Sequence, residues 1–502
     1  MGTVAKVMSA APIGFEGQLV EVESDATKGL PNFRIVGLAN KAIDEARERV
    51  RSAITNSLLD FPAKHITINL APAELPKDGT HYDLPIALAT IISGGQLLQS
   101  EVKNSVFAGE LALDGTVRPV SGIITIAETA RNNGYRTLYL PKANVPQALL
   151  VTDIEIIGVA SLKELFLHLK GEHILTPATI RDTMVSTTAA ASVLIDDITG
   201  QEQAKRALII AAAGRHSLLL NGPPGAGKTM LARALTSLLP PLATDERLAV
   251  TKIYSLAGEL VDEAIDQRPF RSPHHTASRT ALIGGGTKPK PGEVSLAHLG
   301  VLFLDEIPEY PRSSLESLRQ PLEDRFVSVT RASGRATYPA DFMLVATMNP
   351  CPCGHYGDTA KQCTCTSTQI LNYQQRLSGP LLDRIDMKLS VRRVPNAELM
   401  NHNSSSSKQH IAAHESIKNA LARQHNRYKK GYKYNSNLTN SELHAHVQHT
   451  EEAKEMLIKA AEKLGLSARS TFKTLKVART IADLADSDIV TVEHVAEALQ
   501  YR

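Results

Sequence analysis

Residues 221–230 read NGPPGAGKTM, with the core Gly222-x4-Gly227-Lys228-Thr229. An apolar run, 217–220, comes before this segment, and a helix-forming run, 230–239, follows it. A glycine-flanked turn between strand and helix folds the backbone into a nest of N–H groups around a polyphosphate. In such a loop Gly222, Pro223, Pro224, Gly225, Ala226 and Gly227 form the cradle. Lys228 reaches the terminal phosphates, the Thr229 hydroxyl sits on Mg2+, and Met230 opens the helix. The pattern therefore predicts a strand–loop–helix unit of an α/β domain that binds ATP with Mg2+.

Such a unit is only part of a chain of 502 residues, which is too long for one ordinary core and predicts several domains. From 1 to 172 the pattern is mixed α+β: 18–23 and 65–70 alternate as half-buried strands, and 41–59 carries apolar residues at helical spacing. A linker is expected over 173–194, where Thr, Ser and Ala dominate from 176 to 192. Short apolar runs alternate with helical ones over 195–395, the pattern of a parallel sheet with helices on both faces. A serine-rich surface loop over 401–407 precedes a C-terminal helical region, and 396–502 is assigned to a helical lid.

A formal net charge of +3 says nothing by itself about nucleic acid, since a basic groove can hide inside a neutral total. No apolar run reaches the roughly 18 residues of a membrane helix, and the first residues lack a signal-peptide core, so a cytoplasmic protein without membrane contact is expected.

The run 301–304, Val-Leu-Phe-Leu, ends in two acids. The first, Asp305, is placed to hold Mg2+ through water beside Thr229, and the second, Glu306, to polarise an attacking water. A third strand-like run, 342–347, leads to Asn349. Ligands of open α/β sheets bind at the carboxyl ends of strands, so the three runs predict one crevice. Directly after it come Cys351, Cys353, Cys363 and Cys365, all within 351–365. Four thiolates on two turns match a structural Zn2+, while an iron–sulfur cluster and plain reduced thiols are the alternatives. The neighbours His274 and His275 do not read as ligands, because adjacent side chains rarely face one centre.

In order along the chain stand the P-loop, QRPFRSPHHTASRTALIGGG, PGEVSLAHLGVLFLDEIPEY, YPADFMLVATMNPCPCGHYGD, LSGPLLDRID and LSARSTFKTLKVARTIADLA. This series closely resembles the ComM/YifB family of magnesium-chelatase-like AAA+ ATPases over nearly the whole chain. The resemblance implies that Asn349 is the sensor-1 amide and Arg384 the arginine finger offered to a neighbouring subunit. It further implies that Arg469 is the sensor-2 residue, with Arg479 as the second choice. An arginine acting in trans requires abutting subunits, hence a ring, expected to be a homo-hexamer. Within 268–286 and 328–338 the resemblance implies a helix-2 insert and a presensor-1 hairpin facing a central pore. Arg331 and Arg335 in the second segment, with Lys288 and Lys290 of the other arm just past residue 286, are the candidate contacts to DNA phosphates.

The N-terminal region resembles the Lon protease domain in two segments, 76–83 (PKDGTHYD) and 109–122. The serine slot holds His81 and the lysine slot Ile124, so a Ser-Lys dyad is missing. The ComM/YifB resemblance implies helicase-like branch migration on single-stranded and branched DNA in natural transformation and homologous recombination, with recombination proteins as partners. An ATPase subunit of a magnesium-chelatase complex is the alternative. The Lon-like domain and the cysteines speak against it, as His81 and Ile124 speak against an ATP-dependent protease.

Overall fold

A computed structural model describes residues 4–36, 41–75, 79–179, 193–259, 264–286, 290–331, 334–358, 361–395, 408–429 and 433–502. The expected linker core and the serine-rich loop, 180–192 and 401–407, lie outside the described residues, as does Lys288.

The first region is built on a seven-stranded mixed sheet in the order β3-β4-β2-β1-β5-β8-β9. Its strands are β1 (Ala5–Ile13), β2 (Glu16–Thr27), β3 (Asn32–Val36), β4 (His65–Ala71), β5 (Ser105–Phe107), β8 (Thr137–Pro141) and β9 (Glu155–Val159), while β6 (Glu110–Leu111) and β7 (Val117–Arg118) form a small hairpin. Strict alternation in β4, where Ile66, Ile68 and Leu70 are buried, puts one face into the core with helices Lys41–Asn56 and Asp83–Gly94. Helix Ile123–Asn132 covers a second cluster with Val106, Leu138 and Ile156. His81 lies just before helix Asp83–Gly94 and is buried, which pushes its pKa down to about 4 and keeps the ring neutral. Ile124 is fully buried in the first turn of its helix. Neither position offers the serine hydroxyl or the lysine amine of a Ser-Lys dyad.

The central region carries a five-stranded parallel sheet, ordered β11-β14-β17-β10-β18. These strands are β10 (Leu218–Asn221), β11 (Phe270–Arg271), β14 (Val301–Leu304), β17 (Met343–Met348) and β18 (Met387–Ser390). Leu218, Leu220, Val301, Phe303, Met343 and Val345 enter one core, with helices Glu202–Gly214 and Lys228–Leu238. The residues between them, Leu219, Leu302, Leu304, Leu344 and Ala346, enter the core on the opposite face. A sheet buried on both faces needs runs that are apolar at every position, which is why these strands read as unbroken apolar segments.

Two short hairpins project from this body: β12 (Gly284–Gly285) with β13 (Lys290–Pro291), and β15 (Phe326–Arg331) with β16 (Gly334–Pro339). The second corresponds to the polar arm expected over 328–338, and its backbone register pairs Thr330 with Arg335 and Arg331 with Gly334.

C-terminal helices, among them Lys408–Tyr428, Glu451–Leu464, Ala468–Leu484 and Val492–Leu499, share a continuous core with the central sheet through Ile417, Ala420, Ile481 and Tyr501. Polar ties reinforce it: Arg206 donates to both carboxylate oxygens of Glu497 at 2.8 and 3.2 Å, and Lys388 N–H donates to Tyr501 O at 2.8 Å. The N-terminal region docks on helix Thr244–Ala257, where Lys252 pairs with Glu128, Gly122 N–H donates to Ser255 Oγ at 3.0 Å and Leu248 packs into the N-terminal core.

Among the described residues no helix is long and apolar enough to cross a membrane.

Candidate nucleotide site

The site begins where β10 ends. Gly225 and Gly227 have φ of +74° and +78°, values that glycine adopts without strain. A Cβ on Gly222 would stand 2.2 Å from the Val391 carbonyl, so only glycine lets the loop pass the end of β18. Lys228 opens the helix Lys228–Leu238. Its Nζ donates to Gly222 O at 2.6 Å, Pro223 O at 3.1 Å and Asn349 Oδ1 at 3.0 Å. Burial lowers the pKa of this amine, while Asp305 and Glu306 pull it upward. Thr229 and Met230 face solvent on the first turn, at the open side of the loop.

Asp305 and Glu306 follow β14, and Asn349 follows β17, the strand between β14 and β10. Asn349 Nδ2 donates to Glu306 Oε1 at 3.3 Å, which completes a chain of contacts from Lys228 through Asn349 to Glu306. Glu306 takes a left-handed backbone, φ +49°, a strain of about 1–3 kcal/mol of the kind that functional turns store. Thr347 supports that turn: its Oγ1 accepts from Glu306 N–H at 2.9 Å and donates to Asp305 Oδ1 at 2.5 Å. Sequence reasoning missed Thr347, whose only local signal is a hydroxyl in the last buried positions of an otherwise apolar strand. Two further ties were missed as well. Gln201 Nε2 donates to Ala226 O at 2.9 Å, and Arg393 donates to Pro224 O at 3.0 Å.

Three carboxyl ends of strands thus present an amide cradle, an amine, two carboxylates and a carboxamide to one crevice. The chemistry suits a nucleoside triphosphate: cationic and N–H groups for phosphate, Thr229 and Asp305 for Mg2+, and Glu306 for a water.

Arg384 and Arg469 lie elsewhere. Both guanidiniums engage the Glu323 carboxylate, one on each oxygen, and Arg384 also donates to Pro380 O at 2.8 Å. They border a cavity of 660 Å³ between the sheet domain and the C-terminal helices. Arg479 is fully buried and donates to Asp483 and to the Ser487 and Asp488 carbonyls, so it ties the C-terminal helices together. Arg268 is likewise internal, holding Glu246 and the Leu299 and Pro240 carbonyls.

The four cysteine sulfurs lie within 4.8 Å of one another. Cys351–Cys353, Cys353–Cys363 and Cys351–Cys363 are 3.4, 3.6 and 3.7 Å apart. Bonds of about 2.3 Å to a tetrahedral metal give an edge of about 3.8 Å, so the set fits a metal ion. The cluster also braces the P-loop. A Cβ on Gly354, φ +82°, would strike the Pro224 ring at 2.6 Å, and Asp358 faces Arg393 at 3.8 Å.

Of the candidate DNA contacts, Lys290 is exposed and donates to Ala257 O at 3.3 Å. The side chains of Arg331 and Arg335 lie outside the described residues.

Comparison with known proteins shows the family. The chain matches the family of magnesium chelatase, subunit ChlI, over residues 194–399, with ChlI matches over 22–144 and, for its C-terminal part, 405–502. It is 44% identical to the YifB protein of Salmonella typhimurium over 100% of this chain and 97% of that one. Competence protein ComM of Haemophilus influenzae is 43% identical over 100% of this chain and 97% of its own. A Lon protease of Chloroflexus aurantiacus is 29% identical over 34% of this chain and 21% of its own length.

Separate duties for the amine and the carboxylate predict separate defects. Lys228→Ala is expected to weaken ATP binding about tenfold or more, since it removes a charge-assisted phosphate contact. Glu306→Gln is expected to bind ATP normally and to lose at least about a hundredfold in turnover, the usual scale of a lost general base. Equilibrium nucleotide binding and steady-state phosphate release measure the two separately, and wild-type turnover in Glu306→Gln contradicts the assignment.

Proposed function

Because the chain belongs to the ComM/YifB family of magnesium-chelatase-like AAA+ ATPases, we propose that it is a ring-forming motor whose ATP cycle drives branch migration of DNA. The observation that carries this reading is the division of the site between two faces. Lys228, Asp305, Glu306 and Asn349 meet on one, whereas Arg384 and Arg469 share Glu323 at the joint with the C-terminal helices. Arginines held there act on ATP when they belong to the adjacent subunit, and closing every such interface makes a ring, taken here as a homo-hexamer.

In this reading Lys228 and the cradle amides bind the phosphates, Asn349 orients Glu306, and Glu306 accepts the proton of the attacking water. Mg2+ held by Thr229 and Asp305 supplies charge neutralisation of the phosphates. Arg384, with Arg469 beside it, stabilises charge on the transferred phosphoryl from across the interface.

The hairpin β15–β16, with Arg331 and Arg335, and the arm with Lys288 and Lys290 are read as the contacts to single-stranded and branched DNA phosphates. The competence name of the Haemophilus relative supports a role in natural transformation; homologous recombination, recombination proteins as partners and a cytoplasmic setting belong to the same proposal. The cysteine set is read as a structural zinc site that steadies the segment after Asn349 and the neighbouring P-loop.

Three outcomes test this reading. Wild-type protein with ATP is expected to move a three-strand branch point, with affinity falling as salt rises at a log-log slope of about −0.7 per contacted phosphate on single strands. Equal product from Glu306→Gln would contradict a motor and favour a chelatase-type subunit. Arg384→Ala is expected to hydrolyse poorly alone, yet to regain turnover when mixed with Lys228→Ala, and no recovery at any ratio would contradict action in trans. Metal analysis after purification without added zinc is expected to find about one zinc per chain. Stoichiometric iron with visible charge-transfer absorption would replace zinc with a cluster.

A further inference from the structure

The cavity bordered by Arg384 and Arg469 is strongly cationic. Arg215, Arg325, Lys473 and Lys476 line it as well, and its acids are Glu323, Asp341 and Asp386. Asp341 is committed to Arg215 and Arg325 at 3.6 and 3.9 Å, and Asp386 to Lys473 at 2.6 Å and the His216 ring at 3.7 Å. Glu323 alone of the three meets Arg384 and Arg469, and its side chain is 46% exposed while that of Arg384 is 13% exposed. An exposed carboxylate holds an arginine weakly and exchanges it readily for a group carrying more charge. A triphosphate presented by an adjacent subunit would be such a group.

Glu323 also stands at the root of a second element. It belongs to the one-turn helix Pro321–Asp324, which ends in Arg325 with φ +61°. The next residue, Phe326, begins β15, and Ala340 N–H donates to Arg325 O at 2.8 Å to close the hairpin base. Arg325 N–H in turn donates to Pro321 O at 3.0 Å, so no slack chain separates the carboxylate from the hairpin.

We propose that Glu323 is a positioning residue that couples the two edges of the subunit: it holds Arg384 and Arg469 until the neighbour's ATP takes them, and its release resets the base of the β15–β16 hairpin. The inference rests on the reading of Arg384 as acting in trans. It supplies the two discrete arrangements that such coupling requires, carboxylate-held and phosphate-held.

The chain has no tryptophan, so Phe326→Trp puts a single indole at the hairpin base, at a position 39% exposed. Subunits carrying Phe326→Trp with Lys228→Ala, whose own site is disabled, are mixed with an excess of tryptophan-free subunits and titrated with a non-hydrolysable ATP analogue. The indole emission is expected to shift with the neighbour's nucleotide, to lose that shift when Glu323→Gln is added, and to regain it with Glu323→Asp, which restores the charge. A shift indifferent to Glu323→Gln, no shift in its presence or absence, or failure of Glu323→Asp to restore it overturns the proposal. Recovery of turnover in the Arg384→Ala and Lys228→Ala mixture is scored alongside. Where that recovery holds and the shift ignores Glu323, the coupling alone falls; where recovery fails, the trans reading falls with it.

Discussion

The amine of Lys228 organises the nucleotide crevice. It is buried at the start of a helix, accepts no hydrogen bond, and must find acceptors for its protons. Gly222 O, Pro223 O and Asn349 Oδ1 provide them, so one side chain ties the loop after β10 to the end of β17. Asn349 then reaches Glu306 after β14, and Thr347 locks the strained turn that aims Glu306. Parallel strands buried on both faces keep the three ends level, which makes a side-chain chain of about 3 Å links sufficient to fix the site.

Around this crevice the loop is supported from outside the P-loop motif. Gln201 and Arg393 take loop carbonyls, and Gly354 of the cysteine segment abuts Pro224. The arginine edge, by contrast, shares one partly exposed carboxylate, Glu323, with Arg384 also bonded to Pro380 O. A braced pocket beside a more exposed arginine edge is what the proposed action in trans would use. On the opposite side, the N-terminal region rests against helix Thr244–Ala257 and brings Gly14 beside Ala336 of the β15–β16 hairpin, at 3.1 Å from a Cβ built there. The protease-like domain is therefore in contact with the hairpin read here as the DNA-facing element.

Much of this was legible in the sequence because its determinants are local. The glycine spacing that forms the phosphate loop, the unbroken apolar runs of β10, β14 and β17, the acids after β14 and the four cysteines all act within a few residues of themselves. The substitutions His81 and Ile124 were legible for the same reason. What stayed hidden depends on long-range packing. Arg384 and Arg469 are 61 and 146 positions from Glu323, and no periodicity announces that they share it. Thr347 looks like any β-branched strand residue until its hydroxyl is seen between Asp305 and Glu306. Arg479, the second choice for the sensor-2 role, is fully buried among carbonyls and an acid, because a charge pattern does not reveal which guanidiniums the fold encloses.

The central claim is that a complete hydrolytic site needs two copies of this chain. Turnover per chain, followed while the protein is diluted through its assembly range with ATP and Mg2+ held saturating, tests it most directly. The account predicts a steep, cooperative rise of turnover per chain with concentration, reaching a plateau where light scattering reports the assembled ring. Turnover per chain that stays constant down to monomeric protein would contradict it.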